Sequence, residues 1–282
     1  MIRFTGPNGM NEPITRQEMY SDGTPMIKTL GWSRIVEQAD AIVVQPPNLM
    51  EFVNAMFLVD AVNRAKKFDQ IETLVLPYLP GARQDRTNPT GDVLFTAESV
   101  ADLINSRFFS KVISLDPHSP VMPSYIRHFR EYPLENVVKQ IPNKYDGVIV
   151  PDKGAKDRAE RVANSLNLPI FYGGKTRDVA TGKLTGFTLE RLEPTYKQGF
   201  SKDILGHYLV VDDICDGGGT FIGLAKEIAD QNATADLYVS HGIFSRGFDG
   251  LDNAFQNVYT TDSFVGREGA KVIPVVKDME NF

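Results

Sequence analysis

Apolar residues along this chain fall into two patterns, short unbroken runs and stripes at helical spacing, and the two alternate. The run Ala41-Ile42-Val43-Val44-Gln45 has the length and branching of a buried strand. Pro46-Pro47-Asn48 ends it, and from Leu49 to Ala65 the residues Phe52, Val53, Met56, Phe57, Val59 and Val62 follow a helical face that Asn48 can cap. A second strand is predicted over residues 71–78, then a helix with Phe95, Val100, Leu103 and Ile104 on one side, then the strand Lys111-Val112-Ile113-Ser114-Leu115. Composition shifts near Glu131-Tyr132-Pro133-Leu134, and the alternation restarts with a strand over 145–150 and a helix through Ala159, Val162, Ala163 and Leu166. After a short strand at Phe171 come the run Tyr208-Leu209-Val210-Val211, a helix from Thr220 with Phe221, Ile222, Leu224, Ala225 and Ile228, and a strand over 235–240. Residues 1–30 are polar, with Tyr20-Ser21-Asp22-Gly23-Thr24 predicted as a turn between short strands. Such alternation marks parallel sheets with crossover helices, so the fold class is α/β.

The totals narrow this picture. A chain of 282 residues with 42% hydrophobic content can bury one large core or two ordinary domains, and the restart near residue 131 favours two. A net charge of −6 and a pI near 5.3 argue against a general nucleic-acid binder, so any anionic ligand must be held by local positive groups. The single cysteine, Cys215, excludes an intramolecular disulfide framework and suits a reducing compartment. Neighbouring carboxylates make it a packing residue rather than a nucleophile. The first residues lack the apolar core of a signal peptide, and no segment approaches the ~20 apolar residues of a membrane span, so a soluble cytoplasmic protein is expected.

Candidate chemistry gathers at the predicted strand ends. After Val211 come Asp212, Asp213, Ile214, Cys215, Asp216, Gly217, Gly218, Gly219 and Thr220, two acids, a third acid and three glycines before a helix. Backbone N–H groups and the positive helix end would meet there, as a phosphate requires, while carboxylates suit sugar hydroxyls or a bridging Mg²⁺. An ordinary α/β turn whose acids cap the helix has the same composition. Residues 82–86, Ala-Arg-Gln-Asp-Arg, follow another strand and can grip a nucleotide or stand as a solvated loop. His118, in Asp116-Pro117-His118-Ser119, is a candidate ligand for metal or phosphate or a structural histidine. Pro151-Asp152-Lys153-Gly154-Ala155-Lys156-Asp157-Arg158 repeats the strand, glycine, helix logic and suits a pyrophosphate with Mg²⁺, or a capping turn. From Phe171 to Gly186 the polar composition predicts a mobile loop, a lid in which Lys175 and Arg177 can neutralise a transferring phosphoryl group. His241 and Ser245 can contact a ligand or order a turn.

Taken in order, Tyr20-Ser21-Asp22-Gly23, Asn48-Leu49-Met50-Glu51, residues 82–86, Asp116-Pro117-His118, Pro151-Asp152, Lys175-Thr176-Arg177, residues 211–220 and His241-Gly242-Ile243-Phe244-Ser245 resemble the ribose-phosphate pyrophosphokinases, or phosphoribosyl pyrophosphate synthetases. The resemblance implies two tandem phosphoribosyltransferase-like (type I) domains, residues 1–131 on the ATP side and 132–282 on the ribose 5-phosphate side with the lid. It implies transfer of the β,γ-pyrophosphoryl group of MgATP to the 1-hydroxyl of ribose 5-phosphate. Asp212 and Asp213 would then hold ribose hydroxyls, and Asp216, Gly217, Gly218, Gly219 and Thr220 the 5-phosphate. Arg83, Gln84 and Asp85 would contact ATP, joined by Tyr20 and Asp22 from a neighbouring subunit of a homo-oligomer, dimer to hexamer. Asp152, Lys153, Gly154 and Ala155 would form a pyrophosphate loop, with His118 and Asp152 organising Mg²⁺ and Lys175, Arg177 and His118 catalytic. Thr24 stands where the family usually has glutamate, Ala155 where glycine is usual and Gly217 where threonine is common. A phosphoribosyltransferase consuming phosphoribosyl pyrophosphate needs the same cradle, but residues 83–85 and the first α/β half speak against it. A non-catalytic regulatory homologue is the other alternative, set against the retained Lys175, Arg177, His118 and paired acids.

Overall fold

The computed structural model describes residues 1–6, 10–13, 17–21, 25–27, 37–46, 48–66, 70–88, 90, 92, 94–142, 144–177, 184–191, 205–264 and 269–282. Its strands are β1 (Ile2–Gly6), β2 (Met10–Pro13), β3 (Gln17–Met19), β4 (Pro25–Ile27), β5 (Ala41–Val44), β6 (Thr73–Val75), β7 (Lys111–Leu115), β8 (Phe129–Tyr132), β9 (Gly147–Val150), β10 (Ile170–Arg177), β11 (Leu184–Arg191), β12 (Gly206–Cys215), β13 (Ala233–Gly242), β14 (Val258–Thr261) and β15 (Lys271–Ile273). Its helices are α1 (Leu49–Ala65), α2 (Ala97–Asn105), α3 (Val121–Tyr125), α4 (Leu134–Val138), α5 (Lys156–Leu166), α6 (Gly219–Asp230), α7 (Asp249–Ala254) and α8 (Val276–Glu280). They form two compact units, one of Met1–Tyr132, Ser263–Val265 and Val275–Phe282, the other of Pro133–Asp262 and Gly266–Pro274.

The first unit holds a sheet in the order β2-β1-β5-β6-β7-β8, parallel from β5 to β8 and antiparallel at β1 and β2. Helix α1 begins where the sequence places it, because the Asn48 side chain accepts a hydrogen bond from the Glu51 amide at 2.9 Å. Its buried face carries Phe52, Met56, Val59 and Val62, which pack in one core with Ile42 and Leu74, whereas Phe57 lies off that face and is 50% exposed. The strand predicted over 71–78 is confined to Thr73–Val75. Pro77 has no N–H to continue the ladder, although its carbonyl still accepts from Leu115 at 3.2 Å. Strands β3 and β4 pair separately, Met19 opposite Pro25, on either side of the predicted turn.

The second unit's sheet runs β11-β10-β9-β12-β13-β14-β15. All neighbours are parallel except β10 and β11. Strands β9 and β12 are buried as a parallel sheet demands, with Val148, Ile149, Val210 and Val211 fully enclosed. Two expectations change here. Strand β12 does not end at Val211 but continues through Asp212 and Asp213 to Cys215, because β13 is long enough to pair with it as far as Gly242. The mobile loop expected from Phe171 is instead β10, held by β9 on one side and β11 on the other. Residues 178–183 lie outside the described residues. From β9 the chain passes to β10 on one side of the sheet, and from β12 to β13 on the other. The carboxyl ends of β9 and β12 therefore border the topological switch point, where open α/β sheets leave a crevice.

Candidate active site

The two acids that open the glycine loop are gripped from a neighbouring helix. Arg158 of α5 places Nη1 3.1 Å from Asp212 Oδ1, to which it donates a hydrogen bond, and Nη2 3.6 Å from Asp213 Oδ1. All three side chains are nearly enclosed, 7% exposed for Arg158 and Asp213 and 14% for Asp212. Asp212 Oδ1 also accepts from the Asp213 amide at 2.9 Å. Burial and the Asp213 charge push the Asp212 carboxyl well above the usual range, and the Arg158 guanidinium opposes them. Paired carboxylates held this way present acceptors of the kind that adjacent sugar hydroxyls need. The sequence places Arg158 at the end of the stretch that follows β9 and gives no sign of its partners Asp212 and Asp213. The available signal was periodicity, since Arg158 stands four residues before buried Val162 and so shares the inward stripe of α5.

Beyond Cys215 the chain turns into α6 through Gly218, whose φ of +74° lies in the left-handed region glycine favours. No side chain caps this 12-residue helix, so the capping alternative for the nearby acids does not describe this turn. A Cβ at Gly219 would meet nothing within 4 Å, and the open first turn leaves amides suited to an anion. Asp216 is tied to the loop after β13. Its side chain accepts from the Ser245 hydroxyl and its carbonyl from the Ser245 amide at 3.0 Å, while Ile243 and Phe244 amides bond the Cys215 carbonyl at 2.9 and 3.0 Å. Ser245 thus orders the turn, and His241 is buried in β13 opposite Ile214. Burial, with Asp212 and Asp216 adding, pushes the Cys215 thiol up to about 12, so it packs as a neutral side chain.

The loop after β9 is closer to the capping alternative. Asp152 Oδ1 accepts from the Gly154 amide at 2.9 Å, which commits that amide within the turn. Ala155 is fully buried, so the methyl replacing a glycine hydrogen lies within the unit, and Lys153 is exposed. On β10 the backbone of Lys175 stands opposite Phe187 and that of Arg177 opposite Leu184, with a register shift between Thr176 and Arg177.

In the first unit the other candidates sit at the ends of adjacent strands, β6 and β7. Arg83 is exposed, and Gln84 donates from Nε2 to the Leu94 carbonyl at 3.3 Å. Asp85 is buried, and its Oδ1 lies 3.3 Å from Arg86 Nε without forming a hydrogen bond. The pair is close enough to attract but misaligned for a hydrogen bond, so Asp85 Oδ1 is a buried acceptor without a hydrogen bond. Beyond β7, Asp116 has a φ of +38°, strain of the sort found at binding sites, and His118 follows it half-buried. Tyr20 is 53% exposed, while Asp22 and Thr24 lie outside the described residues. Among the described residues no three His, Cys, Asp or Glu side chains converge on a metal position.

No family model matches the chain. It is, however, 30% identical over 265 residues to the ribose-phosphate pyrophosphokinase of Pyrococcus abyssi, covering 86% of this chain and 84% of that one. The chain belongs to the ribose-phosphate pyrophosphokinase family. The same family name attaches to a relative from Sulfurisphaera tokodaii, 26% identical over 276 residues and covering 92% of this chain and 88% of the relative. The two-unit α/β fold also matches a phosphoribosylpyrophosphate synthetase from Mycobacterium smegmatis, with a TM-score of 0.74 at 21% identity over 94% of this chain and 87% of that one. As a ribose-phosphate pyrophosphokinase family member the protein is an enzyme. Among the described residues no helix is long and apolar enough to cross a membrane.

Proposed function

We propose that this enzyme transfers the β,γ-pyrophosphoryl group of MgATP to the 1-hydroxyl of ribose 5-phosphate, giving phosphoribosyl pyrophosphate and AMP. The observation that supports this most is the β12 strand end, where carboxylates bridged by Arg158 stand next to an uncapped, glycine-led helix. In this reading Asp212 and Asp213 accept hydrogen bonds from ribose hydroxyls. Amides from Asp216 to Thr220, with the Thr220 hydroxyl, take the 5-phosphate. Arg83, Gln84 and Asp85 receive ATP. Tyr20 and Asp22 reach the nucleotide from a neighbouring subunit of a homo-oligomer, and the enzyme works in the cytoplasm.

The sugar 1-hydroxyl attacks the β-phosphorus in line, the bond from that phosphorus to the oxygen shared with the α-phosphate breaks, and AMP leaves with that oxygen. The hydroxyl proton passes to solvent. Such a transfer asks the protein for positioning and charge neutralisation and little covalent work. Lys175 and Arg177 supply positive charge for the transferring group. The donors suit an Mg²⁺ that keeps most of its water, because Asp152 commits one oxygen to Gly154 and a carboxylate offers several lone pairs. Asp152, Lys153, Gly154 and Ala155 would line the pyrophosphate side, with Asp152 holding the ion through water. When bound, Mg²⁺ neutralises charge on the β- and γ-phosphates.

One assay tests the reading: purified protein with ATP, Mg²⁺ and ribose 5-phosphate, followed for AMP and phosphoribosyl pyrophosphate. Formation of both in equal amounts is expected. Turnover only when phosphoribosyl pyrophosphate and a base are supplied identifies a phosphoribosyltransferase instead, and binding of both substrates without turnover identifies a regulatory homologue.

A further inference from the structure

We infer that Arg246 binds the 5-phosphate of the sugar, using the space that Gly217 leaves open, an inference that rests on the proposed role of the β12 strand end. A Cβ at position 217 would stand 3.2 Å from Arg246 Cδ and 3.3 Å from its Nε, closer than ordinary contact, so a side chain at 217 would make the arginine shift from its place against the loop. The glycine therefore does more than remove a hydroxyl from the loop. It admits a side chain carrying five N–H donors in a fork that matches phosphate oxygens.

The stem of Arg246 is held in register with the loop from both sides. Ser245, immediately before it, bonds Asp216 through its amide at 3.0 Å and through its hydroxyl, and the Gly247 amide, immediately after, bonds the Phe244 carbonyl at 2.9 Å. Two residues of this turn, Phe244 at φ +45° and Gly247 at +84°, adopt left-handed backbone to make it. The guanidinium is exposed and has no hydrogen bond or ion pair among the described residues. A cation beside the positive end of an uncapped helix is electrostatically unfavourable by itself, and an anion shared by both removes that conflict. The 5-phosphate is such an anion.

The test compares wild type, Arg246→Met, Arg246→Lys, Arg246→Gly and the double variant Gly217→Thr/Arg246→Gly, by AMP-forming kinetics and by calorimetric titration with ribose 5-phosphate. Losing a hydrogen bond to a charged group predicts that Arg246→Met raises the KM and Kd for ribose 5-phosphate about 10- to 100-fold. The kcat and the KM for ATP should stay within about twofold, since only binding shared by ground and transition states is lost. Arg246→Lys keeps part of the affinity, and Gly217→Thr regains part of it in the Arg246→Gly background, where the threonine has room. A ribose 5-phosphate Kd unchanged in Arg246→Met overturns the inference. If wild type binds ribose 5-phosphate but forms no AMP, the proposed reaction fails while the Kd comparison still decides Arg246. If wild type binds no ribose 5-phosphate, both fall.

Discussion

At the scale of single residues, Arg158 decides how two acids coexist at a buried strand end. Replacing it with methionine removes the shared counter-ion, and breaking a buried ion pair from one side costs about 3–5 kcal/mol. Urea unfolding of Arg158→Met at neutral pH should show a loss of that order, shrinking in acid as the carboxyls take up protons. Asp212 itself titrates in the opposite sense from a typical surface aspartate. Its folded-state pKa is raised well above the ordinary aspartate value, so its contribution to stability is fully present below the unfolded value and is lost as pH rises through the folded one. Asp212→Asn should therefore raise the thermal midpoint at neutral and alkaline pH and leave it unchanged near pH 3, relative to wild type. In the proposed reading the same change removes a charged acceptor for a ribose hydroxyl and should lower kcat/KM for ribose 5-phosphate about 10- to 100-fold. A substitution that stabilises the fold and damages turnover is the mark of a carboxylate kept for function. The acids were legible in the sequence because their neighbours are apolar and glycine. Arg158 was not, since 54 positions separate it from Asp212 and only the pairing of β9 with β12 brings α5 alongside.

At the scale of elements, the β10–β11 pair was the least legible part of the second unit. Gly173-Gly174-Lys175-Thr176-Arg177 offers neither apolar alternation nor a helical stripe, so its composition reads as loop. What makes it a strand is contact from outside: β9 pairs in parallel only with the preceding Ile170–Tyr172, while β11 pairs antiparallel with the stretch itself as far as Arg177, and residue 173 is a glycine. A Cβ there would stand 3.0 Å from Leu224 Cδ1 and 3.1 Å from the Val150 carbonyl. Lys175→Ala should lower kcat about 100- to 1000-fold, the effect of removing one preorganised stabilising donor. The ribose 5-phosphate Kd, read by calorimetry, should stay within about twofold, because the interaction belongs to the transition state. Equal losses in kcat and binding would assign Lys175 to the substrate cradle instead.

At the scale of the whole molecule, the alternation of runs and stripes announced parallel sheets, but strand order was hidden because it depends on which side each crossover takes. The antiparallel β1 and β2 were equally hidden, lying in a polar stretch that gives no periodic signal. Order matters for function, since it is the passage of β9 to β10 and of β12 to β13 in opposite directions that puts the acid pair and the glycine turn beside the β9 loop. For the proposed function, a chain of net charge −6 has to collect a phosphorylated sugar through local groups alone. This has a measurable consequence for global stability. A ligand that binds only the folded state stabilises it by mass action, by about 2.7 kcal/mol at a hundredfold excess over Kd. Ribose 5-phosphate should raise the thermal midpoint of the full chain in this way, whereas ribose at the same concentration should raise it far less, because it engages the acids but not the helix N-terminus. The gap between the two shifts measures the anion cradle. Shifts of equal size would mean that the open first turn of α6 contributes nothing to binding, and the carboxylates alone would have to carry the recognition of the sugar.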